Sequence, residues 1–581
     1  MTRKFLKFLF PFILLFTCLG LVACKAPESL ATPENLRIEN GTLLWDGVKY
    51  ADGYYVYIDE EEHQTTECRY DLFGLDETEI HTIEVRAYSK KGIYSLYADL
   101  SYVGKYAIPT EGLEYKFYEL GGNKTYSVTK FAVDENGTCV IPATYQGFPV
   151  TGFASDATSS EVLSKIKRLY LPHSISENYL TGFRMNTFPN LEEFALGGHE
   201  EKFIVEENCL IERATGALVV GCIGSKIPNY ITTIGVSAFS GRNITKIDVP
   251  NSVTKIKTSA FFGCSQLTEI AVPNSVTEIG SSAFFGCTNL KKITIPNSVT
   301  ELGSSAFSGC TNLKEITVPN SVTEMGDRLF EGCTLLEKAV LPERLPSARM
   351  NKTFSGCTSL KQIKIPEGVG TLNYTFENCT SLTDVTLPES AKSLIFTFAV
   401  CTSLKSVTLP AGITKMEGTF WLCSSLESVT IPGTVEGPQG VFYGCTSLKT
   451  VALDEGVMSV GWYLTLGGSY SFFGNCSSLT EVRLPSTLTK IDIEAFKNCT
   501  ALKSILIPEN VTRIWRYAFD KCPLEEVFYH GTEAEWEEIR IDDTGNETLL
   551  SATRYYYSET PPSESGNFWH YVDGVPTKWR V

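Results

Sequence analysis

The side chains with the clearest potential chemistry are the cysteines, of which this 581-residue chain has 18. Twelve of them recur at intervals of 22 to 24 residues, apart from one interval of 31 residues. These twelve, the column cysteines, are Cys264, Cys287, Cys310, Cys333, Cys357, Cys379, Cys401, Cys423, Cys445, Cys476, Cys499 and Cys522. Ligands so spaced would stand in a row rather than form the tetrahedron that zinc requires, and no Cys-x-x-Cys pair occurs. The spacing therefore predicts no metal site, and we expect no cofactor.

The same spacing leaves two redox states open. If each interval is one coil of a repeat, successive cysteines lie about 5 Å apart, which is within reach of a disulfide. An exported protein could form such bonds. Free cysteine is also among the most buried residue types and fills small apolar spaces. We favour reduced, buried thiols, with disulfides as the alternative.

Other chemistry is sparsely represented in the sequence. The chain has no Gly-x-Ser-x-Gly elbow, no Walker loop and no His-Glu-x-x-His motif, and its 6 histidines are scattered. The formal net charge of −17 argues against a general nucleic-acid binder, which needs a basic surface. We therefore predict that the protein is not an enzyme and does not bind nucleic acid.

Aromatic residues near the irregular interval are the strongest candidates for ligand binding. The 31-residue interval carries eight or nine extra residues, which include Trp462, Tyr463 and Tyr470, and Trp421 and Tyr443 share one column in the two preceding intervals. Loops on a rigid scaffold often carry function, and aromatic rings contact proteins or stack on sugars. We predict that these five residues bind an extracellular protein or glycan. The alternative is that their rings fold back on the scaffold.

An internal repeat must position these residues. The segment Asn274–Cys287 recurs almost unchanged as Asn297–Cys310, and a phenylalanine lies three residues before every column cysteine. Leu290–Pro296 alternates apolar and polar residues, which predicts a short strand, and its proline ends that strand. Each coil can bury its apolar side only against its neighbours, so the repeat predicts a solenoid.

Two polar positions in each predicted strand would face solvent. The first column is Glu269, Lys292, Glu315, Lys338, Gln362, Asp384, Ser406, Ser428 and Thr450, and the second is Thr294, Thr317, Thr386, Thr408 and Thr430. Two interpretations are open for this face. It either binds a partner or is a solvated β-surface in which threonine serves its strand propensity.

The order Cys-x-x-Leu-x-x-Ile-x-Ile-Pro, Val-Thr-x-Ile-Gly, Ala-Phe resembles the BspA-type subfamily of leucine-rich repeat surface antigens. The resemblance covers a lead-in with irregular repeats (110–235), regular coils (236–528) and a C-terminal cap (529–581). It implies a mainly β fold, a leucine-rich repeat solenoid with short 3₁₀ or helical turns. It also implies adhesion to host or neighbouring-cell macromolecules. The alternative is a glycan- or peptide-capturing lipoprotein for nutrient uptake or envelope organisation.

The N-terminus predicts export and anchoring. A basic start precedes the apolar stretch Phe8–Val22, as in a secretory signal, and Leu21–Cys24 resembles a bacterial lipobox. The resemblance implies that residues 1–23 are removed, that Cys24 is lipidated, and that 24–32 is a tether. A lipid on Cys24 would hold the protein on the extracellular face of the bacterial membrane.

A small module follows at residues 33–107. Trp45, Gly53–Ile58 and Ile83–Tyr88 lie in short apolar runs separated by glycine and aspartate turns, which favours a β-sandwich. The module resembles fibronectin type III domains, and this implies an Ig-like spacer in front of the solenoid. His81 stands where that family usually has a tyrosine.

Overall fold

The protein is described by a computed structural model that covers residues 29–39, 42–59, 61–72, 80–103, 110–120, 123–142, 144–146, 148–153, 158–172, 174–180, 188–196, 202–346, 348–461, 463–465 and 468–579. The predicted signal segment 1–23 and Cys24 lie outside these residues. The chain divides into two compact units, Met1–Ala107 and Ile108–Val581. Within the described ranges, no helix is long and apolar enough to cross a membrane.

The first unit contains two antiparallel sheets that share one core. Its strands, numbered along the chain, are β1 (Arg37–Glu39), β2 (Thr42–Leu44), β3 (Gly53–Ile58), β4 (Glu61–Thr65), β5 (Arg69–Asp71), β6 (Ile80–Tyr88) and β7 (Ala98–Val103). One sheet has the order β1-β2-β5 and the other β4-β3-β6-β7. Leu43 from the first sheet and Val56 and Val85 from the second are fully buried in the same cluster, beside Trp45. The backbone of His81 lies in β6, opposite Tyr102.

The second unit begins with irregular elements. They are β8 (Glu114–Leu120), β9 (Asn123–Lys130), β10 (Thr138–Val140), β11 (Thr144–Tyr145), β12 (Phe148–Phe153), α1 (Ser160–Lys165), β13 (Arg168–Leu171), a 3₁₀ turn (Glu177–Tyr179), β14 (Glu193–Leu196), β15 (Phe203–Glu206), β16 (Cys209–Glu212) and β17 (Ala217–Gly221). The parallel sheet β10-β13-β14 starts the stacking, and β15, β16 and β17 form an antiparallel meander. The next strand pairs parallel with β17, so this meander joins the lead-in to the regular coils.

Most regular coils contribute short strands to two rows of parallel strands, which we call sheet A and sheet B. Sheet A holds the predicted strands β20 (Glu269–Ala271), β22 (Lys292–Thr294), β24 (Glu315–Thr317), β26 (Lys338–Val340), β27 (Gln362–Lys364), β28 (Asp384–Thr386), β31 (Ser428–Ile431), β32 (Thr450–Leu453), β36 (Glu481–Arg483), β38 (Ser504–Ile507), β40 (Glu526–Tyr529) and β42 (Thr553–Tyr557). Sheet B holds β18 (Thr233–Ile234), β19 (Lys255–Ile256), β21 (Glu278–Ile279), β23 (Glu301–Leu302), β25 (Glu324–Met325), β29 (Ser393–Ile395), β30 (Lys415–Glu417), β33 (Ser459–Val460), β37 (Lys490–Ile491), β39 (Arg513–Ile514) and β41 (Arg540–Ile541). The predicted solenoid is therefore confirmed.

One predicted strand is absent from sheet A. The segment around Ser406 and Thr408 forms no ladder with its neighbours. Val407 is only half-buried there, whereas the equivalent Val385 and Val429 in the adjacent coils are 7% exposed. Val407 still packs against the core, but it is less deeply buried than its counterparts in the adjacent coils.

The core of the solenoid is a continuous stack of phenylalanine rings. Thirteen rings from Phe239 to Phe519 lie nearly parallel, with neighbouring centroids 5.0–5.8 Å apart and planes within 21°. Every ring in the stack is fully buried. Offset aromatic contacts at these distances are favourable, so the phenylalanine column holds the coils in register.

The column cysteines lie beside this stack as free, buried thiols. The carbonyl oxygen of Phe261 accepts the backbone N–H of Cys264 and also the thiol of Cys287 in the next coil, whose Sγ lies 3.2 Å away. All twelve column thiols donate in this way to a phenylalanine carbonyl of the preceding coil, at 2.9–3.2 Å. A carbonyl has two lone pairs, and the thiol occupies the second one.

The C-terminal segment closes sheet A. Its elements are α2 (Glu533–Glu537), α3 (Glu547–Ser551), β43 (Phe568–Val572) and β44 (Val575–Lys578). Strand β43 pairs parallel with β42, and β44 turns back antiparallel. Trp569 is fully buried, and its indole N–H donates to the carbonyl of Tyr529 at 2.9 Å. The ring of His570 stacks on that of Trp579, with the ring centroids 3.7 Å apart.

Candidate binding surface

The extra residues of the 31-residue coil form a β-hairpin. Strands β34 (Tyr463–Thr465) and β35 (Gly468–Tyr470) pair antiparallel, with Tyr463 opposite Tyr470. Of the predicted aromatic residues, Trp462 lies outside the described residues, and for the two tyrosines the structure describes the backbone. In the chain, the hairpin follows β33 of sheet B and precedes Phe473, which belongs to the phenylalanine stack. Both ends of the hairpin are therefore attached to the core of the same coil.

Trp421 and Tyr443 lie on the turn that precedes each column cysteine, which we call the corner. Both rings are half-buried, each two residues before its column cysteine. Their corners are adjacent, because the N–H of Leu422 donates to the carbonyl of Tyr443 at 2.8 Å. The structure thus brings these two predicted residues to equivalent positions of neighbouring coils.

The corners need an unusual backbone. Gly286 donates its N–H to Ser308 of the next coil at 2.8 Å, and its φ is +69°. The residue directly before the column cysteine has a left-handed φ in all twelve coils. In most coils the residue five positions before the cysteine also has a left-handed φ. Glycine and asparagine adopt this conformation most readily, so they suit the position next to the cysteine.

Four large side chains extend from these left-handed positions in three successive coils, those of Cys379, Cys401 and Cys423, the last of which also carries Trp421. They are Tyr374, Phe396, Val400 and Leu422, and all four are half-buried. We call these four residues, together with Trp421 and Tyr443, the corner patch. Sequence reasoning missed the four, although a hydrophobic residue in place of glycine before the column cysteine is a signal that could have found Val400 and Leu422.

The corner patch is fitted to the coils beneath it. Tyr374 and Phe396 stack at 5.4 Å. A Cβ on Gly418 would collide with the ring of Phe396, and one on Gly444 would collide with the side chain of Leu422. Phe396 and Leu422 therefore each lie over a glycine of the next coil.

Charged residues lie at one end of the corner patch. The ammonium of Lys352 lies 5.3 Å from the ring centroid of Tyr374, and Glu377 follows in the same coil as that tyrosine. Charged groups beside apolar side chains are typical of the rim of a protein interface.

The two predicted polar columns of sheet A are exposed throughout. Several neighbouring charges pair across coils, as in Lys246–Glu269 at 3.9 Å and Glu427–Lys449 at 3.0 Å. These side chains are highly exposed, so the pairs add little to stability. Among the described residues, no group of three or more His, Cys, Asp or Glu side chains could hold a metal ion.

These features define the class of protein. Stacked coils of 22–24 residues, each with a leucine-led strand of a parallel sheet and a buried aromatic turn, form a leucine-rich repeat solenoid. The chain belongs to the BspA type leucine rich repeat family, which it matches over residues 232–351, 279–395, 373–467 and 465–538. The predicted family membership is confirmed.

Solved structures include similar bacterial repeat proteins. A leucine-rich repeat protein from Bacteroides ovatus is 26% identical, with 78% of this chain and 94% of that chain covered and a TM-score of 0.49. A leucine rich cell surface protein from Faecalibacterium prausnitzii is 22% identical, with coverage of 74% and 97% and a TM-score of 0.31. The pneumococcal vaccine antigen PcpA is 18% identical, with coverage of 75% and 96% and a TM-score of 0.37. No curated protein matches the chain.

Proposed function

We propose that this protein is a lipid-anchored bacterial cell-surface binding protein whose solenoid adheres to host or neighbouring-cell macromolecules. The observation that carries the proposal is the corner patch. Its six large apolar or aromatic side chains lie on the corners of four successive coils. At the position equivalent to Trp421 and Tyr443, the three coils before these four carry Ser308, Glu331 and Ser355. Contiguous apolar surface on a rigid scaffold is typical of interaction sites.

The N-terminal features support placement at the membrane surface. The lipobox-like Leu21–Cys24 would supply the lipid anchor, and family membership is in keeping with a surface protein. Two antiparallel sheets around a common core support an Ig-like, fibronectin type III-like sandwich at 33–107. We propose that this module acts as a spacer between the membrane and the solenoid.

The experiment that tests the binding function exposes the protein to protein and glycan arrays. We expect saturable binding to proteins, and at least a tenfold loss in Trp421→Ala and Tyr443→Ala. Phe285→Ala is the matched control, because Phe285 occupies the same corner position and stacks on Phe262 at 4.9 Å, outside the corner patch. An equal loss in the control, or no binding on either array, would contradict the proposal. Binding to glycans alone would favour the capture of nutrients instead.

A further inference from the structure

We propose that Arg242 joins the lead-in to the regular coils, so that the two parts of the second unit unfold together as one cooperative structure. The inference starts from the place of this residue in the repeat. Arg242 follows Phe239, the first ring of the phenylalanine stack, by three residues. It directly follows Gly241, whose φ of +72° is typical of the corner glycines. Arg242 therefore stands where every later coil has its column cysteine.

The guanidinium of Arg242 lies in the interior of the protein. Among the described residues, Arg242 is the one charged residue that is buried, with 1% of its surface exposed. Its Nε–H donates to the carbonyl of Gly221 at 3.1 Å, and an Nη1–H donates to the carbonyl of Phe188 at 3.0 Å. Hydrogen bonds from an ionised donor are stronger than those between neutral groups, so these contacts hold more firmly than a thiol would.

The contact with Phe188 repeats the bonding of the column cysteines with a different donor. The Phe188 carbonyl also accepts the N–H of Leu191, three residues further on, at 3.3 Å. In the regular coils, a phenylalanine carbonyl likewise accepts the N–H three residues on, and its second lone pair takes a thiol from the next coil. Arg242 thus replaces the thiol at the point where the regular coils meet the lead-in.

An arginine is needed here because a layer of chain separates the two coils. The segment 221–223 donates one backbone N–H to Ala238 at 2.8 Å and another to Leu191 at 2.7 Å, so it lies between the coil of Phe188 and the coil of Arg242. The thiol of a column cysteine reaches only the adjacent coil. The longer side chain of Arg242 crosses the intervening layer and bonds to both sides of it.

The apolar cores on the two sides of this layer are distinct. Phe188 and Cys139 belong to one buried cluster, whereas Phe239 and Cys287 belong to another. In a repeat array, the interfaces between neighbouring units determine whether the units unfold together. Loss of the donors of Arg242 would weaken the pairing of two buried carbonyl groups at this interface, which is costly. The lead-in would then unfold before the coils.

The test follows two thiols through urea unfolding of the whole protein. Cys139 reports on the lead-in and Cys287 on the regular coils, and both are fully buried in the native state. Samples at increasing urea concentration receive a short pulse of iodoacetamide, and peptide mass spectrometry measures the labelling of each cysteine. In the wild type, we expect both thiols to become reactive at the same urea midpoint. Separate midpoints in the wild type would overturn the proposal, whatever any variant does.

Two substitutions of Arg242 then separate the reporters. Arg242→Met keeps a long side chain without donors, and the midpoint of Cys139 should fall about 1 M below that of Cys287. Arg242→Cys installs the residue that the column has elsewhere, and it should separate the midpoints in the same way, because the thiol cannot cross the layer. Midpoints that stay together in either variant would mean that the reach of the arginine is not what couples the two parts.

Asn243→Ala is the matched control at the same junction. The side chain of Asn243 donates to the Asn190 side chain at 2.8 Å, and the variant removes that bond while Arg242 stays in place. We expect the two midpoints to remain together in this variant. If Asn243→Ala separated them as far as Arg242→Met does, the coupling would belong to the junction as a whole, and the assignment to Arg242 would be wrong.

Discussion

At the scale of single residues, we favoured reduced, buried thiols for the column cysteines, and the structure has free, buried thiols at all twelve of these positions. Their period predicted the coil but could not show the hydrogen bond from each thiol to a phenylalanine carbonyl, because that contact depends on the corner backbone. The same limit explains why Val400 was missed. A valine gives no indication that its φ is positive, since the conformation is imposed by the neighbouring coils.

The burial of the column thiols predicts that they are unreactive in the native protein. Burial raises the pKa of Cys333 and Cys423 to about 12, and the thiolate is the reactive form. We expect iodoacetamide at pH 8 to modify the half-buried Cys68 while the column cysteines stay unmodified, as measured by peptide mass spectrometry. All of them should react in guanidinium chloride. Native labelling of Cys333 as fast as that of Cys68 would contradict this view.

At the scale of elements, the strands of sheet A were predictable and those of sheet B were not. Leu290–Pro296 has enough alternating residues to be recognised, whereas Glu278–Ile279 is too short to show a period. The hairpin at 463–470 was predicted only as a loop, because its strands have three residues each. The strand expected around Ser406 does not form, and Val407 there is less deeply buried than its counterparts Val385 and Val429.

Sheet B also carries a titratable residue whose effect on stability can be measured. Asp492 follows β37, and burial raises its pKa, with Lys490 opposing the shift. Because its folded pKa lies above the unfolded value, the charged form destabilises the fold once the pH rises through the folded pKa. We therefore expect Asp492→Asn to raise Tm at pH 7, and the difference to vanish below about pH 4.

Thermal unfolding between pH 3 and 7 checks this expectation. Glu481→Gln on sheet A is the control, because Glu481 is exposed to solvent on β36, and the Tm of this variant should differ little from that of the wild type across the range. A lower Tm for Asp492→Asn at pH 7 would mean that the carboxylate stabilises the coil, and the argument from burial would be wrong.

At the scale of the whole molecule, a repeat array is a sum of nearest-neighbour contacts. Each internal coil is covered on both sides by coils of the same design, so the repeat pattern predicted the solenoid and its family. The pattern says nothing about how the array ends, since the last coil has a neighbour on one side only. In the second unit, β43 pairs parallel with the last coil, and β44 turns back antiparallel to β43. The antiparallel strand β44 thus covers the edge of sheet A.

Trp569 is the residue on which that closure depends. It is fully buried, and it lies 5.8 Å from the ring of Phe528 and 5.1 Å from that of Tyr557. We expect Trp569→Ala to destabilise the protein by about 3–5 kcal/mol and to promote association through the exposed sheet edge, as followed by denaturant unfolding and size-exclusion chromatography. The adjacent Tyr571 is 44% exposed, so Tyr571→Ala should have a small effect. If neither variant associated more than the wild type and both were as stable as it, the edge of sheet A would not need the cap, and the coils alone would hold the array together.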